Sequence, residues 1–291
     1  MTKKTVLITG TSTGIGAACV ARQAAAGWKV YAGVRKPEDG ERLRSEIAGN
    51  VVPVIIDVTR GEDIDKVLAQ INAEVGSLDG LVNNAGIGVG GPIELLSDED
   101  WQWQFDVNFF SLITLTRQAM PLVDKANGRF VHIGSIAGRI AAAGLGPYAA
   151  SKHAIEAFNW ALRGELARNT GMTSSVVEPG EIKTAIWEKA DQMVGEVAEQ
   201  LEATGTAERY GFLVDGQRGF IAEGQKKGVE PDKVAKAVEH ALSARRPKAR
   251  YLVGPDAKAV GVFGRLPDRL LEGFMNMNGK RLERAGRKAA A

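Results

Sequence analysis

The sequence contains little cysteine or histidine, the residues that build disulfide frameworks and zinc sites. Its 291 residues include one cysteine, Cys19, and three histidines. A single cysteine cannot form an internal disulfide, and no cluster of cysteine and histidine has the spacing of zinc ligands. The composition therefore excludes a disulfide-stapled scaffold and a zinc module, and it fits a reducing compartment.

The sequence also lacks an excess of either charge and any long apolar run. It has 37 basic and 35 acidic residues, a net charge of +2, so no broad basic field indicates nucleic-acid binding. No apolar run is long enough for a membrane span. The N-terminus leads directly into a strand-like segment without a signal-peptide pattern. We therefore expect a cytoplasmic protein with no nucleic-acid partner.

The sequence does have a regular alternation of short β-branched runs and longer helical patterns. Strands are predicted at 5–10, 29–34 and 51–58, and three further strands alternate with helices up to Gly180. The strands are apolar on both faces, as in a parallel sheet covered by helices on both sides. This repetition predicts right-handed βαβ units and one α/β domain with a doubly wound parallel sheet over residues 1–291.

The pattern loosens after the sixth strand. Residues 185–230 carry seven glycines among what look like short helical pieces, too long for a plain connection, and we interpret them as a substrate lid. A last strand precedes the tail, 258–291, where eight basic minus three acidic residues give +5. We expect such a tail to fold over the substrate cleft or another subunit rather than to bind a membrane surface.

A glycine-rich loop, "TGTSTGIG" at 9–16, separates the first strand from its helix. Glycines let the backbone turn sharply and approach a pyrophosphate, which then lies at the helix N-terminus. The alternative is a tight turn that binds nothing. Its place after the first strand of an α/β pattern favours dinucleotide binding.

The end of the second strand discriminates between the two nicotinamide dinucleotides. NAD sites place an acidic residue there to hold the ribose 2′-hydroxyl, but this sequence has Val34 followed by Arg35 and Lys36. Two cations suit a 2′-phosphate, so we expect NADP as the cofactor, with NAD still possible. A solvated basic pair is the alternative interpretation.

Tyr148 and Lys152 lie four residues apart at the start of a predicted helix. Their side chains therefore share one helix face, with Cβ atoms about 5–6 Å apart. A cation at that range favours the phenolate and lowers the tyrosine pKa, which would let the tyrosine transfer a proton near neutral pH. An ordinary helix-surface pair is the alternative.

Six motifs occur together in one order, and the chain from about residue 5 to 184 thereby resembles the short-chain dehydrogenase/reductase family. The ending "RYLVGPDAK" is similar to the branch that holds 17β-hydroxysteroid and retinol dehydrogenases. The resemblance implies a Rossmann-type fold and NAD(P)-dependent alcohol or ketone chemistry. The motifs are "TGTSTGIG" (9–16), "NNAG" (83–86), "DVN" (106–108), "GSIAG" (134–138), "YAASK" (148–152) and "EPG" (178–180).

The resemblance also implies a role for each matching residue. Tyr148 would be the catalytic acid or base, Lys152 would lower its pKa and bind the nicotinamide ribose, Ser135 would bind the substrate oxygen, and Asn108 would hold a water of the proton relay. Lys152 and Tyr148 also touch the cofactor. The other implied cofactor-binding residues are Gly10, Ser12, Gly14, Ile15 and Gly16 of the phosphate loop, Asp57 and Val58 near the adenine, Asn84, Ala85 and Gly86 along the channel, and Pro179, Gly180, Ile182 and Thr184 at the nicotinamide.

Together these features predict an NADP(H)-dependent oxidoreductase that interconverts an alcohol and its carbonyl, with a bulky apolar substrate. Apolar residues of the 185–230 segment and the apolar stretch from Ile140 to Leu145 motivate the substrate class. A homodimer or homotetramer is expected, as is usual in the family. The alternatives are a non-catalytic dinucleotide-sensing regulatory protein, a nucleotide-sugar epimerase, and a reductase of small polar carbonyl compounds. No metal is expected.

Overall fold

A parallel β-sheet forms the centre of the molecule in the computed structural model, which describes residues 3–264 and 266–290. Seven strands follow the order β3-β2-β1-β4-β5-β6-β7, and every neighbouring pair is parallel. This confirms the predicted doubly wound α/β fold. The strands are β1 (Thr5–Ile8), β2 (Lys29–Val34), β3 (Asn50–Ile55), β4 (Gly80–Asn83), β5 (Arg129–Ile133), β6 (Thr173–Pro179) and β7 (Arg250–Val253).

Helices cover both faces of this sheet. One buried cluster contains residues of β1, α1 and α9, and the other contains residues of β1, α3, α5 and α6, which explains why the strands are apolar on both faces. The helices are α1 (Gly14–Ala25), α2 (Pro37–Glu46), α3 (Gly61–Glu74), α4 (Asp98–Phe105), α5 (Ser111–Lys125), α6 (Gly146–Asn169), α7 (Ile186–Ala203), α8 (Ala207–Lys227), α9 (Pro231–Ser243), α10 (Pro255–Phe263) and α11 (Asp268–Ala290).

The strand order reverses between β1 and β4, and this reversal locates the crevice. The chain leaves β1 toward β2 on one side of β1, whereas it leaves β4 toward β5 on the opposite side of the sheet. The loops after these two strands therefore diverge and leave an opening at the carboxyl edge, where doubly wound sheets bind ligands. The glycine loop and the "NNAG" segment both lie at this opening.

Strands β1 and β3 end earlier than predicted. β1 ends at Ile8 rather than residue 10, and β3 ends at Ile55 rather than residue 58. Thr9 still donates its backbone N–H to Val82 O at 3.1 Å, but the next residue, Gly10, has a φ of +65° that turns the chain out of the sheet. Past β3, Ile56 is still buried, which explains why the apolar run extends beyond the strand.

The segment 98–125 was predicted as one helix, but a π-helical turn interrupts it. Asp106–Phe110 takes π geometry between α4 and α5. A π-turn inserts one extra residue and rotates the side chains that follow. Asn108 is in this turn, and its side chain is 2% exposed.

The segment 185–230 is also more regular than predicted. Instead of short pieces it forms two helices, α7 of 18 residues and α8 of 21 residues. The chain turns between them at Gly205, which has a φ of +66°. Four further glycines lie inside α8 without breaking it, and two of them, Gly219 and Gly224, permit close contact with α11 and with Trp187.

Helix α11 of the tail packs lengthwise on α8. A Cβ added at Gly219 would lie 2.0 Å from Leu282 O, and one at Gly286 would lie 1.9 Å from Asp215 O. The backbones therefore touch, with ion pairs from Arg281 to Glu223 and from Arg287 to Asp215 on either side. The tail thus packs on α8 of the same chain, and its packing over the cleft or on another subunit stays a prediction.

Neither a membrane-spanning helix nor a cluster of metal ligands occurs among the residues that the structure describes. None of their helices has the length and apolarity needed to cross a bilayer. No group of three or more histidine, cysteine, aspartate or glutamate side chains among them is arranged to hold a metal ion.

Candidate active site

The glycine loop after β1 has a shape that side chains would obstruct. Gly10 has a φ of +65° and lies so close to the next loop that a Cβ would be 2.8 Å from Ala85 Cα. A Cβ at Gly16 would be 2.2 Å from Gly10 O. Only glycine satisfies both positions without moving the backbone. The result is a bare backbone cradle at the start of α1.

The N-terminus of α1 opens into this cradle. Among the described residues no side chain caps its first turn, because the Thr13 hydroxyl makes no such hydrogen bond. Uncapped N–H groups and the positive end of the helix dipole form a site for an anion such as a pyrophosphate. The cradle, which a Cβ would fill, and these free donors together fit a dinucleotide.

Asn84 and Thr9 fix the cradle to the neighbouring loop. The Asn84 side chain donates to Thr9 O and Gly10 O, each at 2.9 Å. The Thr9 hydroxyl accepts from the backbone N–H groups of Asn84 and Ala85, each at 3.1 Å. These bonds hold the loops after β1 and β4 together, and Asn84 thereby supports the cradle.

Arg35 and Lys36 are exposed at the end of β2, beside the cradle. Burial opposes the ionisation of nearby Asp57, but hydrogen bonds from Thr59 and the positive charge of Arg35 outweigh it and lower its pKa. Arg42 of α2 donates to Ser12 O and adds a third cation at this end of the channel. Sequence reasoning missed Arg42, because nothing in its spacing relates it to the loop.

Lys152 is buried and Tyr148 is half-buried on the cleft side of α6. Lys152 Nζ lies 5.7 Å from the centre of the Tyr148 ring and donates to Ile133 O at 2.9 Å. Burial lowers the pKa of Lys152 to about 8. Burial raises the pKa of Tyr148, and a hydrogen bond with the Ser135 side chain only partly opposes this.

The expected lowering of the tyrosine pKa by Lys152 is therefore wrong for this arrangement. Desolvation of the phenol sets the direction of the Tyr148 pKa, while the Lys152 ammonium donates to the Ile133 backbone carbonyl. Tyr148 remains protonated at neutral pH, which is the state required of a proton donor.

Ser135 lies at the start of the turn after β5. Its hydroxyl accepts from Ala137 N at 3.1 Å, which holds the loop in place and fixes the direction of the side chain. The same hydroxyl lies close enough to Tyr148 to lower the pKa of that tyrosine. The two hydroxyls that the resemblance assigns to the substrate oxygen are therefore adjacent.

Asn108 bonds the loop after β4 to α6. Its carboxamide accepts from Ile87 N at 2.8 Å and donates to Ile87 O at 3.0 Å. It also donates to the Ser151 hydroxyl at 3.3 Å. The π-turn therefore directs Asn108 between the "NNAG" segment and α6.

The segment from Pro179 to Thr184 closes the channel from the opposite side. A Cβ at Gly14 would lie 3.1 Å from the Thr184 methyl carbon, so this segment reaches the glycine loop. The Trp187 indole donates to Ile182 O at 2.8 Å, and the Asp256 carboxylate accepts from Glu181 N at 2.6 Å. Asp256 is a further support that sequence reasoning did not identify.

Helices α7 and α8 cover the cleft beyond Tyr148. A Cβ at Gly88 would lie 3.9 Å from the Tyr148 ring, and the chain then passes beneath these helices. A cavity of about 20 Å³ remains there. Gln217 is its one polar side chain among the described residues, and the rest of the lining is Gly90, Gly91, Gly144, Met193, Val194, Val197, Leu213 and Val214.

The predicted site residues thus meet along one edge of the sheet. The glycine loop, Asn84 to Gly86, Asp57 with Val58, Ser135, Tyr148 and the Pro179–Thr184 segment all follow or face the carboxyl ends of strands. Arg35 and Lys36 lie at the same edge with exposed side chains. This fold and site define a dinucleotide-dependent oxidoreductase.

Comparison with known proteins identifies the family. A family model described as short chain dehydrogenase matches residues 4–195. The chain belongs to the short-chain dehydrogenase/reductase family and is an oxidoreductase of that family. Enzymes of this family use NAD or NADP.

Three relatives cover nearly all of the chain. An uncharacterized oxidoreductase, YbbO, of Escherichia coli strain K12 is 35% identical over 93% of this chain and 95% of its own. An NADPH-dependent 3-dehydrocapnine reductase of Ornithobacterium rhinotracheale is 34% identical over 95% of this chain and 97% of its own. Human retinol dehydrogenase 16 is 33% identical over 94% of this chain and 87% of its own.

Proposed function

We propose that this protein is an NADP(H)-dependent dehydrogenase/reductase that interconverts an alcohol and its carbonyl compound, with a bulky and mostly apolar substrate. The observation that carries this proposal is the placement of Tyr148, Ser135 and Lys152 together beside the glycine cradle. A hydroxyl pair, a buried ammonium and an anion site in one cleft are the parts that carbonyl reduction requires.

Bound NADPH would supply the hydride, which is the chemistry of the cofactor rather than of the protein. The residues of this chain handle the oxygen and its proton. The Ser135 hydroxyl donates to the carbonyl oxygen and orients it, and the protonated Tyr148 hydroxyl transfers its proton to that oxygen. Asn108 holds the Ile87 backbone against α6 and thereby fixes the floor of the site.

Lys152 has two functions in this proposal. Its Nζ donates to Ile133 O, and an ammonium has two further N–H groups that can bind the nicotinamide ribose hydroxyls. Because its pKa of about 8 is near neutral pH, binding to such acceptors would also stabilise the charged form. A charged Lys152 favours the tyrosinate left after proton transfer.

The preference for NADP rests on charge. Arg35 and Lys36 are exposed at the position where a 2′-phosphate would lie, and Val34 cannot accept a hydrogen bond from a 2′-hydroxyl. Arg42 adds a cation next to the cradle. A relative that is named as NADPH-dependent supports this choice.

The substrate class rests on the underside of α7 and α8. Their inward residues are apolar, apart from Gln217, and they would cover a substrate after the helices separate. A large apolar molecule would replace the contacts that these side chains now make with the loops at Gly90 and Gly144. A small polar carbonyl compound would leave this surface without a partner.

We also propose a homo-oligomer. Trp103, Phe110 and Trp160 are 46%, 47% and 49% exposed, and they belong to the α4–α5 segment and to α6. Large aromatic side chains exposed on adjacent elements are typical of subunit interfaces.

The decisive experiment replaces Tyr148 by phenylalanine. The ring and its packing remain but the proton is lost, so kcat should fall by about 100-fold or more. Cofactor affinity should stay within a few fold of wild type, because the glycine cradle is untouched. Activity is followed by NADPH absorbance with a panel of ketones and aldehydes.

The result also separates the alternatives. Full turnover in Tyr148→Phe would remove Tyr148 from its role. Tight NADPH binding with no turnover by the wild type on any carbonyl compound or alcohol would favour the non-catalytic dinucleotide sensor instead.

A further inference from the structure

Four charged side chains meet beneath the turn that carries Ser135. Arg139, at the end of that turn, forms a two-point ion pair with Glu178 of β6, with one contact at 3.0 Å. Arg250 of β7 places its Nε 2.6 Å from a Glu156 oxygen and 3.4 Å from a Glu178 oxygen. Glu178 is fully buried and Glu156 is 6% exposed. We call these four residues the charge cluster.

The charge cluster connects three parts of the proposed active site. Glu156 lies one helical turn after Lys152 on α6, and Glu178 directly precedes the Pro179–Gly180 turn. Arg139 connects Glu178 to the end of the Ser135 turn. A change in the cluster would therefore move the serine relative to the tyrosine–lysine pair.

Glu156 also packs directly under the Ser135 turn. A Cβ added at Gly134 would lie 3.5 Å from Glu156 Oε1, and one at Gly138 would lie 3.4 Å from Glu156 Cγ. These two glycines bracket the turn that contains Ser135. The glutamate side chain therefore supports the turn from below.

One oxygen of Glu156 is left without a donor. Oε1 is buried and has no hydrogen-bond partner among the described residues. The two carboxylates share a single guanidinium nitrogen of Arg250, and two adjacent buried carboxylates hold one proton more readily than a single one. A proton on Glu156 would both remove its charge and provide a donor toward Glu178.

The charged groups around Glu156 come from every element that packs on it. Glu178 faces it from β6, Arg250 from β7 and Arg139 from the Ser135 turn, while Lys152 precedes it on α6. Burial and the charge of Glu178 raise the pKa of Glu156 to about 7, and Arg250 opposes this rise. The unpartnered Glu156 Oε1, the shared Arg250 nitrogen and the raised pKa of Glu156 all favour its protonated form.

We propose that Glu156 is a positioning residue, a proposal that rests on the reaction proposed at Tyr148. In its neutral form Glu156 donates a hydrogen bond to Glu178. This bond holds the Ser135 turn where the Ser135 hydroxyl can bind the carbonyl oxygen. When Glu156 loses this proton to solvent water, the two carboxylates repel each other and the turn shifts. Ser135 then no longer binds the carbonyl oxygen where Tyr148 can protonate it.

The test uses Glu156→Gln, which keeps the size and a hydrogen-bond donor but cannot ionise. The wild-type kcat should fall by about fivefold or more as pH rises from 6 to 8, whereas kcat of Glu156→Gln should stay within about twofold. Glu156→Ala removes the donor and should lower kcat by about tenfold at every pH in that range. Cofactor affinity should not change in either variant.

Glu165→Gln is the matched control, because Glu165 lies exposed on the same helix and should give the wild-type pH profile. If Glu156→Gln keeps the wild-type pH dependence, or if it is as impaired as Glu156→Ala at every pH, the proposal is overturned.

A second measurement does not depend on activity. Because the folded-state pKa of Glu156 is raised from 4.5 to about 7, the folded protein binds an extra proton between these values. The contribution of Glu156 to stability is therefore present at low pH and is lost as pH rises through about 7. Between pH 5 and pH 8, the unfolding constant of wild type should increase more than about tenfold relative to that of Glu156→Gln.

Carbon-13 NMR of glutamate carboxyls keeps the proposal testable if the variant does not fold. In the wild-type protein at least one glutamate should titrate near pH 7, and its absence overturns the proposal. The stability and NMR measurements do not depend on the proposed reaction. An active Tyr148→Phe would refute that reaction, whereas the proposed titration of Glu156 would still be tested by these two measurements.

Discussion

The contact between α8 and α11 allows the attachment of the tail to be tested with one methyl group. Replacing Gly219 by alanine places a carbon 2.0 Å from Leu282 O and 3.0 Å from Gly286 N. Because ordinary carbon contacts lie at about 3.5–4.0 Å, the helices would have to separate by about 1.5 Å. Overpacking of this kind costs about 1–3 kcal/mol.

Gly216→Ala is a matched control on the same helix. A Cβ there meets only Glu283 Cγ, at 4.0 Å, so this change should stabilise the protein by up to about 1 kcal/mol through helix propensity. Gly219→Ala gains the same propensity but also incurs the clash. The free energies of unfolding of the two variants should therefore differ by about 1–3 kcal/mol.

The exposed ion pairs do not alter this difference greatly. Arg281 and Arg287 have side chains that are 52% and 66% exposed, and such pairs contribute about 1 kcal/mol or less. Urea unfolding followed by circular dichroism measures the difference, and limited proteolysis reports whether α11 has detached. Equal stability of the two variants, with α11 equally protected, would refute the close backbone contact.

Two further predictions concern the cofactor and the substrate. Arg35→Ala should weaken NADP binding by about 1.5–3 kcal/mol, roughly 10- to 150-fold, and leave NAD nearly unchanged. Titration calorimetry with both cofactors decides this, with exposed Arg44→Ala as the control, and equal losses for both would exclude a 2′-phosphate contact at Arg35. For the substrate, kcat/KM should rise along a series of ketones of increasing apolar size, since each buried methylene contributes about 0.8 kcal/mol. A flat series, or a preference for the smallest members, would mean that α7 and α8 are structural.

Local signals in the sequence were sufficient for the fold class and for the identity of the family. β2 lies at its predicted residues, 29–34, because its ends are marked by Gly27 and by the change from apolar to charged residues after Val34. The glycine loop was also recognised from spacing, since its chemistry depends on missing side chains. The comparison with the family model confirms the family and the oxidoreductase class.

Sequence reasoning failed where glycine lies inside a helix instead of at a turn. Gly211, Gly216 and Gly219 suggested broken helical pieces, yet all three lie within α8, and of these only Gly219 is in close contact with another described helix. Gly219 is required by α11, more than 60 positions later in the chain, and local propensity contains no information about such a contact. The π-turn at Asn108 was missed for a related reason, because a helical pattern does not show where one extra residue is inserted.

Patterns of residues close together in the chain were sufficient for the succession of strands and helices, the glycine loop and the set of residues that could carry the chemistry. The electrostatic state of that set depends instead on the tertiary structure. Burial of Tyr148 raises its pKa, although Lys152 shares its helix face. Arg139, Glu156, Glu178 and Arg250 meet only because the sheet brings β6 and β7 beside α6. Desolvation and charge pairing depend on everything that surrounds a group in space, and spacing along the chain does not specify those neighbours.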